Sequence, residues 1–490
     1  MTDEGTPQVR KGPMLAVMLI AAFFAILNET LLATALPSIM EEFGITENKV
    51  QWLTTAFLLT NGIMIPISAF LIERFSTRKI FLTAIAVFIT GTTIAAFSHT
   101  FPLLLVARVV QAMGSGVMLP LMMTIVLTLF PPEKRGAAMG AAGLVIAFGP
   151  AIGPTLSGWM LEYNSWRALF YVVVPIAVAT FVFGIFAVKN VTKLTYPKID
   201  VVSILLSSFG FGGLLFGFSS AGEDGWTSPK VLSCLIGGGI ILTLFILRQL
   251  KMEVPMLEFR VFRFPVFSIS LVITMIVLMS MIGAETILPL YMQNTLGYSA
   301  LDSGLMLLPG AIVMGIMSPL TGALFDKVGA KVLAIPGLLI VSVTTLFFTT
   351  LSMDTSFMFL TIVYAIRMFG LSLAMMPVMT NGLNQLPESW NAHGSAMANT
   401  MQQVSASIGT AILITVMSNG AKNFEPGEST AQTAMENPEP QQFLAEQAMI
   451  NGYNLAFWAA TTLSFAGVIL SLFIKKPEPK AEESGQSQSA

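Results

Sequence analysis

Two acids, Glu29 and Glu285, and two arginines, Arg108 and Arg367, lie inside long apolar runs of this chain. A charge at bilayer depth costs at least about 2.5–3.5 kcal/mol on insertion scales, so each needs a reason to be there. An arginine keeps its charge and must find an acceptor. A carboxyl group in apolar surroundings resists ionisation, and a nearby guanidinium favours it. A carboxyl balanced between the two takes up a proton from one aqueous side and releases it to the other as access alternates. Glu29 and Glu285 are therefore candidate proton or substrate sites, with Arg108 and Arg367 as their electrostatic partners. The plain alternatives are a carboxylate permanently paired with an arginine or a helix dipole, a structural kink at Pro289 beside Glu285, and a packing network of Arg108 with Gln111.

The elements that must hold these residues follow from composition. Of 490 residues, 54% are apolar and 11% charged, with a mean hydropathy of +0.77, against about 25% charged in an ordinary soluble domain. Apolar runs fall at 14–36, 50–72, 80–98, 101–130, 136–160, 168–188, 201–220, 230–248, 266–292, 304–325, 332–352, 356–380, 393–418 and 449–474. Runs of about 20 such residues span a bilayer as helices. Fourteen runs define an all-α integral membrane protein. The first run imitates a secretion signal, with Arg10 and Lys11 ahead of it and Ala33-Thr34-Ala35 near its end. It is too long for that and holds Glu29, so it reads as an uncleaved helix.

Lysine and arginine placement sets the orientation. With the N-terminus in the cytosol, nineteen of the 25 fall in inner segments, among them Arg74, Arg78, Lys79, Lys134, Arg135, Lys193, Arg248, Lys327, Lys331, Lys476 and Lys480. Four, Lys49, Arg167, Lys230 and Lys422, fall outside, and Arg108 and Arg367 lie within helices. Losing one helix would invert every later loop, so the asymmetry also checks the number fourteen. Trp52, Trp166, Trp226 and Trp390 fall near helix ends, as an aromatic belt requires. Both termini are expected in the cytosol.

The first six and last six runs look like two copies of one unit. The loop 69-AFLIERFSTRK-79 parallels 322-GALFDKVGAK-331, Arg108 parallels Arg367, and Glu29-Thr30-Leu31-Leu32 parallels Glu285-Thr286-Ile287-Leu288. Parallel repeats of this kind place a substrate site at their interface. The runs at 201–220 and 230–248 are then an insertion between the halves. The expected division is a tail at 1–12, a six-helix bundle at 13–190, the insertion and its linker at 191–262, a second bundle at 263–475, and a disordered tail at 476–490.

Several motifs carry a family resemblance. Gly322, Asp326, Lys327, Gly329 and Lys331 fill the pattern G-x-x-x-D-[RK]-x-G-x-[RK], which Glu73, Arg74 and Ser76 meet loosely. Arg108, Gln111 and Gly114 resemble R-x-x-Q-G-x-G, with Ala112 for a glycine. Gly149, Pro150, Gly153, Pro154 and Gly158 match G-P-x-x-G-P-x-x-x-G, and 27-LNETLLATALP-37 resembles L-D-x-T-[IV]-V-N-x-A-L-P. From end to end the chain resembles the fourteen-helix drug:proton antiporters of the major facilitator superfamily, most closely the lincomycin-resistance-type branch. The family's usual aspartate is Asn28 here, and the carboxylate stands one residue on, at Glu29. That step turns a side chain about 100° around a helix.

The resemblance implies the major facilitator fold, two six-helix bundles plus two inserted helices. It implies a proton-driven exporter of small amphipathic drugs or antibiotics from a bacterial plasma membrane, working by alternating access as a monomer. Glu73, Arg74, Asp326 and Lys327 are read as conformational latches, since acids suit helix N-termini and bases C-termini; the plain alternative is a topology signal. Gly149, Pro150, Gly153 and Pro154 are expected to interrupt and bend their helix in a tight contact with the other half that resists leak. Met275, Met279, Met281, Met368, Met375, Met376 and Met379 suit an adaptable pocket or simply face lipid. Asn381, Asn384, Gln402 and Gln403 line the cavity or bond between helices.

Other classes find no support. His99 and His393 are too far apart in sequence to suggest a metal site. There is no P-loop, no Ser/His/Asp or Cys/His set, and no zinc pattern, so neither an enzyme nor a cofactor is expected. Basic residues are scattered through loops rather than grouped for nucleic acid. The single cysteine, Cys234, allows no internal disulfide. Within the transport class the rival is an exporter of one metabolite, lipid or siderophore. Outside it, the rival is a non-transporting sensor or assembly partner.

Overall fold

A computed structural model of the chain describes residues 10–192, 194–427, 432 and 440–475. The expected tail at 476–490, Lys193, Lys476 and Lys480 lie outside the described residues, as do residues 1–9. Among the described residues, fourteen helices are long and apolar enough to cross a membrane. In chain order they are α1 (Lys11–Leu31), α2 (Trp52–Arg74), α3 (Thr77–Ala96), α4 (Phe101–Leu129), α5 (Arg135–Tyr163), α6 (Arg167–Ala187), α7 (Val201–Asp224), α8 (Pro229–Lys251), α9 (Pro265–Asn294), α10 (Ala300–Val328), α11 (Ala330–Phe347), α12 (Phe357–Asn384), α13 (Asn391–Lys422) and α14 (Pro440–Ser471).

Two differences from the sequence reading have local causes. The first run is not one helix to residue 36. α1 stops at Leu31, a 3-10 turn covers Ala33–Ala35, and a short helix follows over Leu36–Phe43. Pro37 lacks an N–H for the ladder, and Thr34 Oγ1 donates to Leu31 O at 3.4 Å. α14 begins at Pro440, ahead of the apolar run at 449, because its first two turns are polar and carry no hydropathy signal.

The apolar core falls into separate bodies. One joins α1, α3, α4 and α6, with Met14, Phe81, Phe88, Leu104 and Phe170 buried together. Another joins α9, α11, α12 and α14 around Ile273, Leu338, Leu371 and Phe457. A third lies between them at one end, where Ala69, Met123, Leu257, Phe267, Met379 and Ala396 meet. α7 and α8 form a hairpin whose backbones touch: a Cβ at Gly238 would sit 2.8 Å from Leu214 N. At its base Arg248 Nη2 lies 3.0 Å from Asp200 Oδ2. α7 rests on both bundles, with Leu215 over Gly62 of α2 and Trp226 Nε1 donating to Thr415 Oγ1 of α13 at 2.8 Å. The outward surface stays apolar, with Phe183, Phe186, Ile236, Ile240 and Leu320 exposed, as lipid contact requires.

The ends of α1, α2, α5, α10 and α13 that carry Lys11, Arg74, Arg135, Asp326 and His393 gather at one end of the molecule, here the basic end. Between the bundles there, α5 and α10 pack without side chains in the way. A Cβ at Gly136 would sit 2.2 Å from Gly322 O, and one at Gly140 would sit 2.4 Å from Ser318 O. Small residues permit this approach of two backbones.

Candidate functional site

Arg108 and Arg367 are both fully buried. Arg108 Nη1 donates to Asn28 Oδ1 at 2.7 Å and to Gln111 Oε1 at 3.1 Å, and its Nε donates to Leu53 O at 3.3 Å. Its guanidinium lies 4.0 Å above the Phe57 ring. Gln111 in turn donates to Thr92 Oγ1 at 2.9 Å. Arg108 Nη2 has no hydrogen-bond partner among the described residues. Arg108 thus has the packing network with Gln111 that was its plain alternative, and Glu29 also lies within its electrostatic reach. None of these hydrogen bonds goes to Glu29.

The second half repeats the plan with different acceptors. Arg367 Nη2 donates to Ser280 O at 2.7 Å, and its Nε donates to Thr345 Oγ1 at 3.1 Å. Its Nη1 has no partner among the described residues. Glu285 and the buried Tyr364 both lie within its electrostatic reach. Neither acid is sealed in: Glu29 and Glu285 are part-exposed, while their arginines are not. Each half therefore holds a buried guanidinium with one nitrogen that has no partner among the described residues and a part-exposed glutamate within its reach, and in the second half that glutamate borders open space.

For Glu285 that space is a cavity of about 470 Å³ between the halves, lined by Glu285, Tyr364, Met281, Met314, Met368, Thr34 and Pro150. Most of its wall is apolar, and one carboxylate and a few hydroxyl and amide groups supply polarity, the usual make-up of a small-molecule site. Of the methionines singled out in the sequence, Met281 and Met368 face this cavity, and Met375, Met376 and Met379 are buried among helices. Asn381 donates to Lys475 O at 3.1 Å, Asn384 accepts from Arg135 Nη1 at 2.8 Å, and Gln402 donates to Met379 Sδ at 3.0 Å. These three bond between elements.

Gly149, Pro150, Gly153 and Pro154 do not interrupt α5, which runs unbroken through them. Gly149 and Gly153 face α1 of their own half, not the other half. A Cβ at Gly149 would sit 2.5 Å from Ile26 Cγ2, and one at Gly153 would sit 2.1 Å from Thr30 Oγ1. Thr30 Oγ1 also donates to Gly149 O at 3.2 Å. The face toward the other half belongs to Gly136, Gly140 and Gly143, about 130° away at 100° per residue. Pro150 does reach the cavity. Gly158 has open space where a Cβ would be.

At the basic end the two loop acids take different partners. Asp326 Oδ1 accepts from Gly136 N at 2.8 Å and Oδ2 accepts from Ala137 N at 3.1 Å, so the acid of one half caps the first turn of α5 in the other. Gly322 allows the approach, and Gly329, at φ +82°, ends α10 in a conformation that suits glycine. Lys327 is exposed. Glu73 Oε1 lies 2.9 Å from His393 Nε2 of α13, and Arg74 Nη1 donates to Pro197 O. The sequence reading missed His393, Arg135 and Tyr364. For His393 the repeat held a signal: if Asp326 meets the start of α5, then Glu73 should meet the start of α13.

Fourteen spanning helices among the described residues, with a buried arginine and a glutamate within its electrostatic reach at matched places in two halves, define a membrane transporter class. The chain belongs to the Major Facilitator Superfamily, whose model matches residues 18–410. It is similar to the lincomycin resistance protein LmrB of Listeria innocua, 44% identical over 472 residues that cover 96% of this chain and 98% of that one. The MFS-type transporter YcnB of Bacillus subtilis is 50% identical over 473 residues, covering 96% and 97%. Among solved structures, the human organic anion transporter MFSD10 shares the fold at a TM-score of 0.67, with 14% identity, over 95% of this chain and 100% of that one. The chain is thus a multi-pass cell-membrane transporter of small molecules and not an enzyme.

Proposed function

We propose that the protein is a monomeric proton-driven exporter of amphipathic drugs or antibiotics, working by alternating access with its basic end and both termini in the cytosol. The observation that carries this reading is the repeat: a part-exposed glutamate within electrostatic reach of a buried, incompletely bonded guanidinium, once in each half. An unprotonated Glu29 or Glu285 is attracted to the guanidinium beside it, and a protonated one is free of that pull. Charge on the acid thereby biases the packing of α1 against α4, or of α9 against α12. A cationic amphipath in the cavity competes with the proton for the same negative charge. Relatedness to a lincomycin resistance protein supports a drug as the substrate. Lysine and arginine excess at the basic end supports the orientation. Closure there by Asp326, Glu73, Gly136 and Gly322 supports a state shut toward the cytosol.

The test is drug uptake into inverted membrane vesicles under an imposed pH gradient. Wild type should accumulate drug and lose it when an ionophore collapses the gradient. Glu29→Gln or Glu285→Gln should abolish gradient-driven uptake while the protein still inserts. Uptake by wild type that persists without the gradient contradicts proton drive.

A further inference from the structure

The two loop acids sit at matched places but close the basic end differently. Asp326 caps backbone N–H groups of α5 directly. Glu73 instead meets a side chain, His393, at the third residue of α13. His393 is buried, at 6% side-chain exposure, and Glu73 is part-buried, at 12%. The other imidazole nitrogen is also engaged: Nδ1 accepts from Glu258 N at 3.3 Å. An accepting Nδ1 carries no proton, so the proton sits on Nε2, which donates to Glu73. Glu258 belongs to the segment after α8, and its carboxylate turns to Arg260, accepting from Arg260 N at 3.0 Å with Nη1 at 3.5 Å. That segment is fixed in the seam by Leu257 and Val261, both fully buried. One imidazole thus touches the first bundle, the second bundle and the chain leaving the inserted helices.

We propose that His393 is a positioning residue of the cytosolic gate: it ties Glu73 and the post-insertion segment to α13 when that end is shut. The inserted pair, otherwise lateral to both bundles, is thereby made part of the gate. This rests on the alternating-access reading. Breaking the link should not unfold either bundle, because each has its own core. It should raise the fraction of molecules open at the basic end.

The test uses full-length protein in inverted vesicles, with Cys234→Ser and a reporter, Ser395→Cys, which is fully buried in the shut gate. A membrane-impermeant maleimide reports opening from the cytosolic side. Glutamine places an amide nitrogen near the position of Nε2, whereas asparagine places one near Nδ1. His393→Asn should therefore label roughly two- to tenfold faster than the parent, the span of one hydrogen bond. His393→Gln should stay near the parent, and adding Glu73→Gln to His393→Asn should change little. Equal labelling of the Asn, Gln and parent proteins overturns the proposal, as does a Gln variant that behaves like Asn. Failure of the transport reading looks different: parent labelling that ignores both drug and pH gradient.

Discussion

Arg108 gives its shortest hydrogen bond to the amide of Asn28 rather than to the acid beside it. The neutral side chain fixes the guanidinium, and the carboxyl next in sequence takes none of its hydrogen bonds. If the acid matters by its reach to Arg108, a carboxylate moved back to position 28 should serve. Glu29→Gln should lose gradient-driven drug uptake, and Asn28→Asp with Glu29→Gln should recover part of it; recovery to no more than the single variant's rate speaks against the pairing. Away from the membrane spans, Glu42 shows an ordinary surface use of charge. Its carboxyl is held below the usual range first by the hydrogen bond from Arg167, with burial opposing and the Trp166 indole assisting. A carboxyl lowered on folding adds stability above its unfolded pKa and loses it as pH falls through the folded value. Glu42 is exposed, so the pair is worth about 0.2–1 kcal/mol. The melting-temperature gap between wild type and Glu42→Gln should be constant near neutral pH and shrink toward zero in acid.

Helices meet where glycine lets them, and that sets which contacts can open. The α5–α10 seam at the basic end depends on Gly136 and Gly322, where an added Cβ would meet backbone rather than a yielding side chain. Gly136→Val should cost the shut state about 1–3 kcal/mol, as overpacking does. The expected readout is faster labelling of Ser395→Cys from the cytosolic side and a loss of transport at normal membrane yield. Unchanged labelling would mean that the seam yields elsewhere. Helix existence and spacing were legible in the sequence because a bilayer forces each span to be long, apolar and satisfied within itself. Partners were less legible. Gly149 and Gly153 suggested a contact between halves, but a glycine does not say which neighbour approaches it, and α1 does so here. The break after Leu31 was hidden because the residues past it are still apolar. The two acids and two arginines inside the spans stood out because charge inside an apolar run is rare. Asn28 as the hydrogen-bond partner of Arg108, and His393 as that of Glu73, depend on rotations and on distant segments that no spacing encodes.

Across the whole molecule, two bundles with separate cores meet at a glycine seam and a set of polar contacts at the basic end, with a cavity reaching Glu285 between them. Orientation is tested by single cysteines in a Cys234→Ser background. Lys79→Cys, exposed at the basic end, should label only from the cytosol, and Ser165→Cys, exposed at the opposite end, only from outside; the reverse pattern inverts the proposed direction of transport. The claim on which the rest depends is that drug and proton compete for the same carboxyls. The most direct measurement is the pH of a weakly buffered solution of purified protein as drug is added. Wild type should release protons on saturation, and the variant with both Glu29→Gln and Glu285→Gln should release none while still folded. Drug binding by wild type with no proton release, or equal release from the double variant, would contradict it.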